Sequence, residues 1–160
     1  MKYMNTPLSN VDLNNAIKQF DSRGANYFND SDIKPNTNIE TVFKDRGHTI
    51  IFHKYKDENV GHWYCLLRDN NNIFYCDSFG ENPDFYCKNM IPFLKNNGIK
   101  NIIINKEVWQ NTKSSICGRY GLVLCTIHKF NPSINEIYKF MENGKKKYKS
   151  YDKFILNLTT

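Results

Sequence analysis

The sequence predicts an α+β domain: a small, mainly antiparallel sheet packed with helices. Three observations predict it. Short runs rich in Ile, Tyr, Phe and Val read as strands, at His48–Tyr55, Val60–Leu67 and Ile73–Ser78. Apolar residues at helical spacing, with capping residues at their ends, lie on either side of those runs. The 160 residues, 40% of them hydrophobic, suffice for one core and leave little room for a second module, so residues 1–160 are expected to form a single domain.

Ser9 is placed to cap a first helix whose face carries Leu13, Ala16, Ile17 and Phe20. Residues 21–47, broken by Gly24 and Pro35, read as irregular. The strand centred on Ile50, Ile51 and Phe52 follows, and the next two strands flank the polar turn Asp69-Asn70-Asn71-Asn72. Asn82 before Pro83 starts a helix, and Gly98 after Asn96-Asn97 stops it. Ile102, Ile103 and Ile104 form a short buried strand. The stretch Cys117–Cys125 is apolar almost all round, the pattern of a buried helix. Ser133 with Glu136 three residues on is a capping box opening another helix, and Asp152–Leu158 forms a last short one.

Composition narrows the function classes. The five cysteines, Cys65, Cys76, Cys87, Cys117 and Cys125, are an odd number without a CxxC pair, which points to reduced thiols and away from a disulfide framework or a zinc site; no metal is expected. The aromatic fraction of 14% suits a folded chain. The opening residues lack the apolar core of a signal peptide, and no apolar run nears the ~18 residues of a membrane span, so no membrane partner is expected. A net charge of +6 invites a nucleic-acid reading. The chain is also rich in Asn, Lys and Ile, as an AT-rich genome imposes, and its one dense basic run, Lys145-Lys146-Lys147 extended by Lys149, reads as a solvated loop.

The residue types of a thiol hydrolase are present. Such a site needs a nucleophile held as thiolate, a base, a group orienting the base, and donors for the developing oxyanion. Cys117 falls in the first turn of the buried helix, where the dipole and free N–H groups favour an anion. Gly118 beside it leaves room for a substrate backbone. His62, in Gly61-His62-Trp63, is the candidate base. If the turn centres on Asn70-Asn71, paired positions sum to 141; Asp77 then lies opposite Tyr64, on the face His62 shares, and Cys65 faces Cys76 on the other. Asp77 is thus the candidate orienting group, and the Cys65 and Cys76 thiols are expected to be packed core residues. Gln110 is the candidate oxyanion donor, together with the N–H of Cys117. Trp63 and Gly118 are the candidate substrate neighbours, Trp63 chiefly as a wall shielding the base.

In order, His62-Trp63, Asp77-Ser78-Phe79-Gly80, Gln110 and Cys117-Gly118 resemble the adenain-like and SUMO-protease-like cysteine peptidases. The seven-residue step from Gln110 to Cys117 and the form Ser114-x-x-Cys117-Gly118 are most similar to the adenovirus maturation protease. Tyr75–Gly80 and Pro7–Leu13 are similar to the versions in virophages and Polinton-type viral elements. The resemblance implies a papain-like fold in permuted order and cleavage of capsid or other virion precursor proteins during maturation, beside glycine. It implies no metal or bound cofactor, with stimulation by DNA, and so non-specific DNA as a partner, left open by the basic charge. No cysteine lies between Cys87 and Cys117 to take a disulfide-linked peptide cofactor. The location it implies is the host cytoplasm or viral factory, and the virion. Two alternatives stand beside this reading: a deubiquitinase or deSUMOylase with the same chemistry, and a non-catalytic basic nucleic-acid-binding module.

Overall fold

The computed structural model describes residues 10–22, 24–56, 61–105 and 107–160. Ser9, expected to cap the first helix, and Val60, expected to begin a strand, lie outside them. The chain runs α1 (Asn10–Ser22), β1 (Tyr27–Asn29), a 3-10 turn (Asp30–Asp32), α2 (Ile39–Phe43), β2 (His48–Lys54), β3 (Gly61–Asp69), β4 (Asn72–Cys76), α3 (Pro83–Tyr86), α4 (Met90–Asn96), β5 (Asn101–Ile104), α5 (Cys117–His128), α6 (Ile134–Tyr148) and α7 (Tyr151–Leu158).

The result is an α+β fold built on a mixed five-stranded sheet in the order β1-β2-β3-β4-β5. The expected antiparallel character holds only for the centre, where β2, β3 and β4 pair antiparallel. Both outer strands pair parallel, β1 with β2 and β4 with β5. The reason is connectivity: a parallel neighbour needs a crossover, and α2 lies in one connection while α3 and α4 lie in the other. The β3–β4 register places Cys65 opposite Cys76 and Leu66 opposite Tyr75, as a turn centred on Asn70-Asn71 requires.

Side chains alternate across the sheet into two cores. Ile50, Cys65, Leu67, Phe74 and Cys76 pack under α1, α5, α6 and α7 with Leu13, Val123, Leu124, Met141 and Ile155. Ile51, Tyr64, Leu66, Ile73 and Tyr75 pack against Val42 and Phe43 of α2 and Met90, Phe93 and Leu94 of α4. With both faces covered, the central strands read as near-continuous apolar runs rather than alternating ones. Val123, Cys125 and Ile127 of α5 are fully buried, so the helix expected from the apolar run Cys117–Cys125 is an interior one, extended to His128.

Several boundaries differ from the expectations. The helix read from Asn82 to Gly98 is two short helices. Pro92 explains the break: it lacks an N–H and is tolerated only in a first turn, and it stands third in α4. The stretch 21–47 holds β1 and α2, the latter capped by Asn38, whose side chain accepts from the Glu40 N–H. Lys145, Lys146 and Lys147 sit in the last turn of α6, not in a loop, where cations complement the helix dipole. The capping box of Ser133 and Glu136 opens that helix. Among the described residues no helix is long and apolar enough to cross a membrane.

Candidate active site

The edge where β3 begins and β4 ends carries the candidate residues. At Gly61, a Cβ would stand 2.1 Å from the His53 carbonyl oxygen, so glycine lets β2 and β3 close together one residue before His62. His62 is buried, and its Nε2 lies 2.5 Å from Asp77 Oδ1. Its ring stacks on Phe79 at a centroid separation of 4.8 Å and meets Tyr86 at the same distance. The ring therefore has little freedom to turn. The other three histidines have different surroundings: His53 pairs with Asp30, and His48 and His128 sit together away from Asp77.

Asp77 follows directly after β4 and is fully buried. Its Oδ1 also accepts the Phe79 N–H at 3.3 Å, and Oδ2 accepts the Glu81 N–H at 2.9 Å and the Tyr86 hydroxyl at 3.2 Å. A buried carboxylate needs such donors to remain charged. Its backbone is fixed by Asn105, whose Oδ1 accepts the Asp77 N–H at 3.0 Å and whose Nδ2 donates to the Asp77 carbonyl at 2.8 Å.

Cys117 is the first residue of α5, and its sulfur accepts the Trp63 N–H at 3.4 Å and hydrogen-bonds the His62 ring. Because Nε2 is taken by Asp77, the ring nitrogen facing the sulfur is Nδ1. Burial alone would push the thiol pKa up, but the His62 hydrogen bond and charge, with N–H groups of Trp63 and Gly118, bring it below the ordinary thiol value. Burial likewise works against the charged imidazole; hydrogen bonds and charges of Asp77 and Cys117 outweigh it and raise His62 to about 9. Each group thus favours the charged form of the other, and the two titrations belong to the pair.

Gln110 is buried beside this set. Its Oε1 accepts the Ser78 hydroxyl at 2.5 Å and its Nε2 donates to the Ser114 carbonyl at 3.0 Å. The Ser78 carbonyl in turn accepts the N–H groups of Trp109 and Gln110, both at 2.9 Å. Gln110 thus ties the turn carrying Asp77 to the loop that delivers Cys117. One of its two amide protons is committed to Ser114, and the second has no acceptor among the described residues.

An open groove of about 370 Å³ is lined by Tyr27, Trp63, Arg119, Leu122 and the two residues flanking Cys117 in the chain, Ile116 and Gly118. Both candidate substrate neighbours, Trp63 and Gly118, line it. A Cβ on Gly118 would reach the Trp63 indole at 3.5 Å, ordinary contact distance, so the groove is narrow there. Cys65, Cys76 and Cys125 are buried under the site as free thiols. Among the described residues no group of three or more His, Cys, Asp or Glu is placed to hold a metal ion.

Sequence reasoning did not find Tyr27, Phe79, Tyr86 or Asn105. Tyr86 and Asn105 lie in segments without a periodic signal, and only the fold brings them to Asp77; Phe79, two residues past Asp77, was the one within reach of local inspection.

No protein-family model and no curated protein matches the chain. Among solved structures, it is similar to the crystal structure of selenomethionine ASFV pS273R protease, with a TM-score of 0.46 and 15% identity over 83% of this chain. The match covers 65% of that protein, so the chain spans about two thirds of its length.

Proposed function

We propose that the chain is a cysteine endopeptidase in which Cys117 is the nucleophile, His62 the acid and base, Asp77 the group that orients His62, and Gln110 an oxyanion donor. The observation that carries the reading is the buried His62–Asp77 pair set against a thiol at the first residue of an interior helix. The Cys117 thiolate attacks the substrate carbonyl carbon, and the carbonyl π electrons move onto oxygen. The resulting oxyanion is held by the Cys117 N–H and the uncommitted amide proton of Gln110; one such donor is typically worth ~2.7–4 kcal/mol in the transition state. His62 Nδ1–H then protonates the leaving amine as the C–N bond breaks, giving a thioester. His62, now neutral, takes a proton from water, the hydroxide attacks, and Cys117 leaves as thiolate. Throughout, Asp77 accepts from Nε2–H and so keeps Nδ1 turned to the sulfur.

The substrates we propose are capsid or other virion precursor proteins cut beside glycine, in the host cytoplasm, the viral factory or the virion. This is supported by the ordered motifs from His62 to Gly118 and by the narrowness of the groove at Trp63 and Gly118. No metal or resident cofactor enters the reaction. Stimulation by DNA remains part of the proposal, supported by the net charge of +6 and the exposed lysines ending α6.

The test is mass spectrometry of new N-termini in a co-expressed virion precursor, with wild-type protein and with Cys117→Ala. Cleavage that persists in Cys117→Ala overturns the assignment. Fluorogenic ubiquitin and SUMO substrates address the modifier-protease alternative; robust turnover there would replace the proposed substrate class.

A further inference from the structure

A second cleft, of about 650 Å³, lies at the opposite end of α5 from Cys117. It is formed by the end of α1, the segment leading into β2, and the turn after α5. At ~1.5 Å rise per residue, His128 stands ~16 Å along the helix from Cys117, so this cleft is separate from the thiol site. Arg46, His48, His128 and Lys129 line it together with Phe20 and Asn131, and no carboxylate is among the described residues lining it. We propose that this cleft binds a phosphate-bearing small molecule through Arg46, Lys129 and the two histidines.

Four features support the assignment. His48 is 4% exposed, and its Nε2 has no hydrogen-bond partner among the described residues, an omission that native interiors rarely tolerate. Arg46 spends Nη1 on the Gly24 carbonyl at 3.0 Å, which fixes the guanidinium at the rim and leaves further donors. Lys129 lies 4.9 Å over the Phe20 ring, and Phe20 packs on His48 at 4.9 Å, so the cations and the orphaned imidazole share one wall. Burial first, then the positive charges of His128, Arg46 and Lys129, lower the His48 pKa to about 4. The cleft therefore holds positive charge that its lining does not compensate. Asp69 lies 3.4 Å from His128 Nε2, and it is exposed and not among the residues lining the cleft.

Cations at the C-terminal end of a helix also complement its dipole, and His128 and Lys129 fit that simpler account. Arg46 and His48 do not, since they come from the approach to β2. A fork of guanidinium donors beside an ammonium suits the several acceptor oxygens of a phosphate dianion, and the volume is within the range of small-molecule sites.

The test is calorimetric titration of the full chain with inorganic pyrophosphate and with ATP, at constant ionic strength and against potassium chloride. We expect saturable binding by wild type and equally by Cys117→Ala. We expect a loss of about tenfold or more for Arg46→Gln with Lys129→Gln, and no loss when Lys145, Lys146 and Lys149 are changed to Ala. In wild type, NMR should show the His48 titration moving upward from about 4 on addition of pyrophosphate, a readout that needs no variant to fold. Tighter binding of ATP would assign a nucleotide, and equal binding an inorganic polyphosphate. Absence of binding beyond the chloride control, retention by the Arg46 and Lys129 variant, loss in the lysine-run variant, or an unmoved His48 would each overturn the proposal.

Discussion

Replacing Asp77 by Asn keeps size and shape but removes the charge that holds His62. Oδ1 of Asp77 accepts from His62 and Phe79, and Oδ2 from Glu81 and Tyr86. An asparagine amide cannot satisfy both sides. With its oxygen toward His62, its NH2 meets the Glu81 N–H; turned round, its NH2 faces His62 Nε2, which must then give up its proton. Either way the imidazolium loses a charge-assisted hydrogen bond worth ~1.5–3 kcal/mol. At 1.36 kcal/mol per pH unit this is about 1–2 units. The His62 titration should therefore fall from about 9 in the wild type to between about 7 and about 8. The assay is an NMR titration of the His62 ring in labelled protein, with thermal unfolding to confirm that the variant is folded. As the imidazolium weakens, Cys117 loses its counter-charge, so alkylation by iodoacetamide at neutral pH should slow; the other four cysteines are buried and report little. A folded variant whose His62 midpoint is unchanged or raised would refute the reasoning.

Other expectations follow from the same geometry. Asn105→Ala leaves the Asp77 N–H without its partner and takes one of two donors from its carbonyl, which keeps the Gly80 N–H; it should cost ~1–3 kcal/mol in urea unfolding, with kcat for peptide cleavage falling more than KM rises. Gly118→Ala adds a Cβ at ordinary contact distance, 3.5 Å, from Trp63; the protein should fold with undiminished Tm while KM rises, and an unchanged KM would remove Gly118 from the substrate groove. Gly144→Ala would place a Cβ 2.1 Å from the ring of buried Phe154. Overpacking at such a contact offsets the ~1 kcal/mol helix-propensity gain and leaves a net loss of up to about 2 kcal/mol, read by denaturant unfolding.

The sheet centre was legible in the sequence because the turn at Asn70-Asn71 set the register, and the register put Asp77 on the face of His62. Cys117 was legible because an apolar run begins abruptly after a polar loop, which marks a helix N-terminus. The outer strands were not legible. β1 has three residues and pairs through a crossover, so neither its alternation nor its partner is visible locally. The split between α3 and α4 turned on Pro92, whose effect depends on whether it falls in a helix interior or a first turn. Tyr86 and Asn105 reach Asp77 from segments 9 and 28 residues away, contacts that only tertiary packing creates. The second cleft was invisible for the same reason: Arg46, His48, His128 and Lys129 converge only in the folded chain.

The claim that Cys117 is held as a thiolate by His62 is tested most directly by the ultraviolet thiolate absorbance of the protein, titrated with pH and referenced to Cys117→Ala. The structure predicts a thiolate difference signal whose midpoint lies below the ordinary thiol range, because the sulfur is paired with an imidazole whose own titration is raised to about 9. A signal that emerges only as the pH approaches the ordinary thiol range of ~8.5 would contradict the ion pair and the nucleophile assignment built on it.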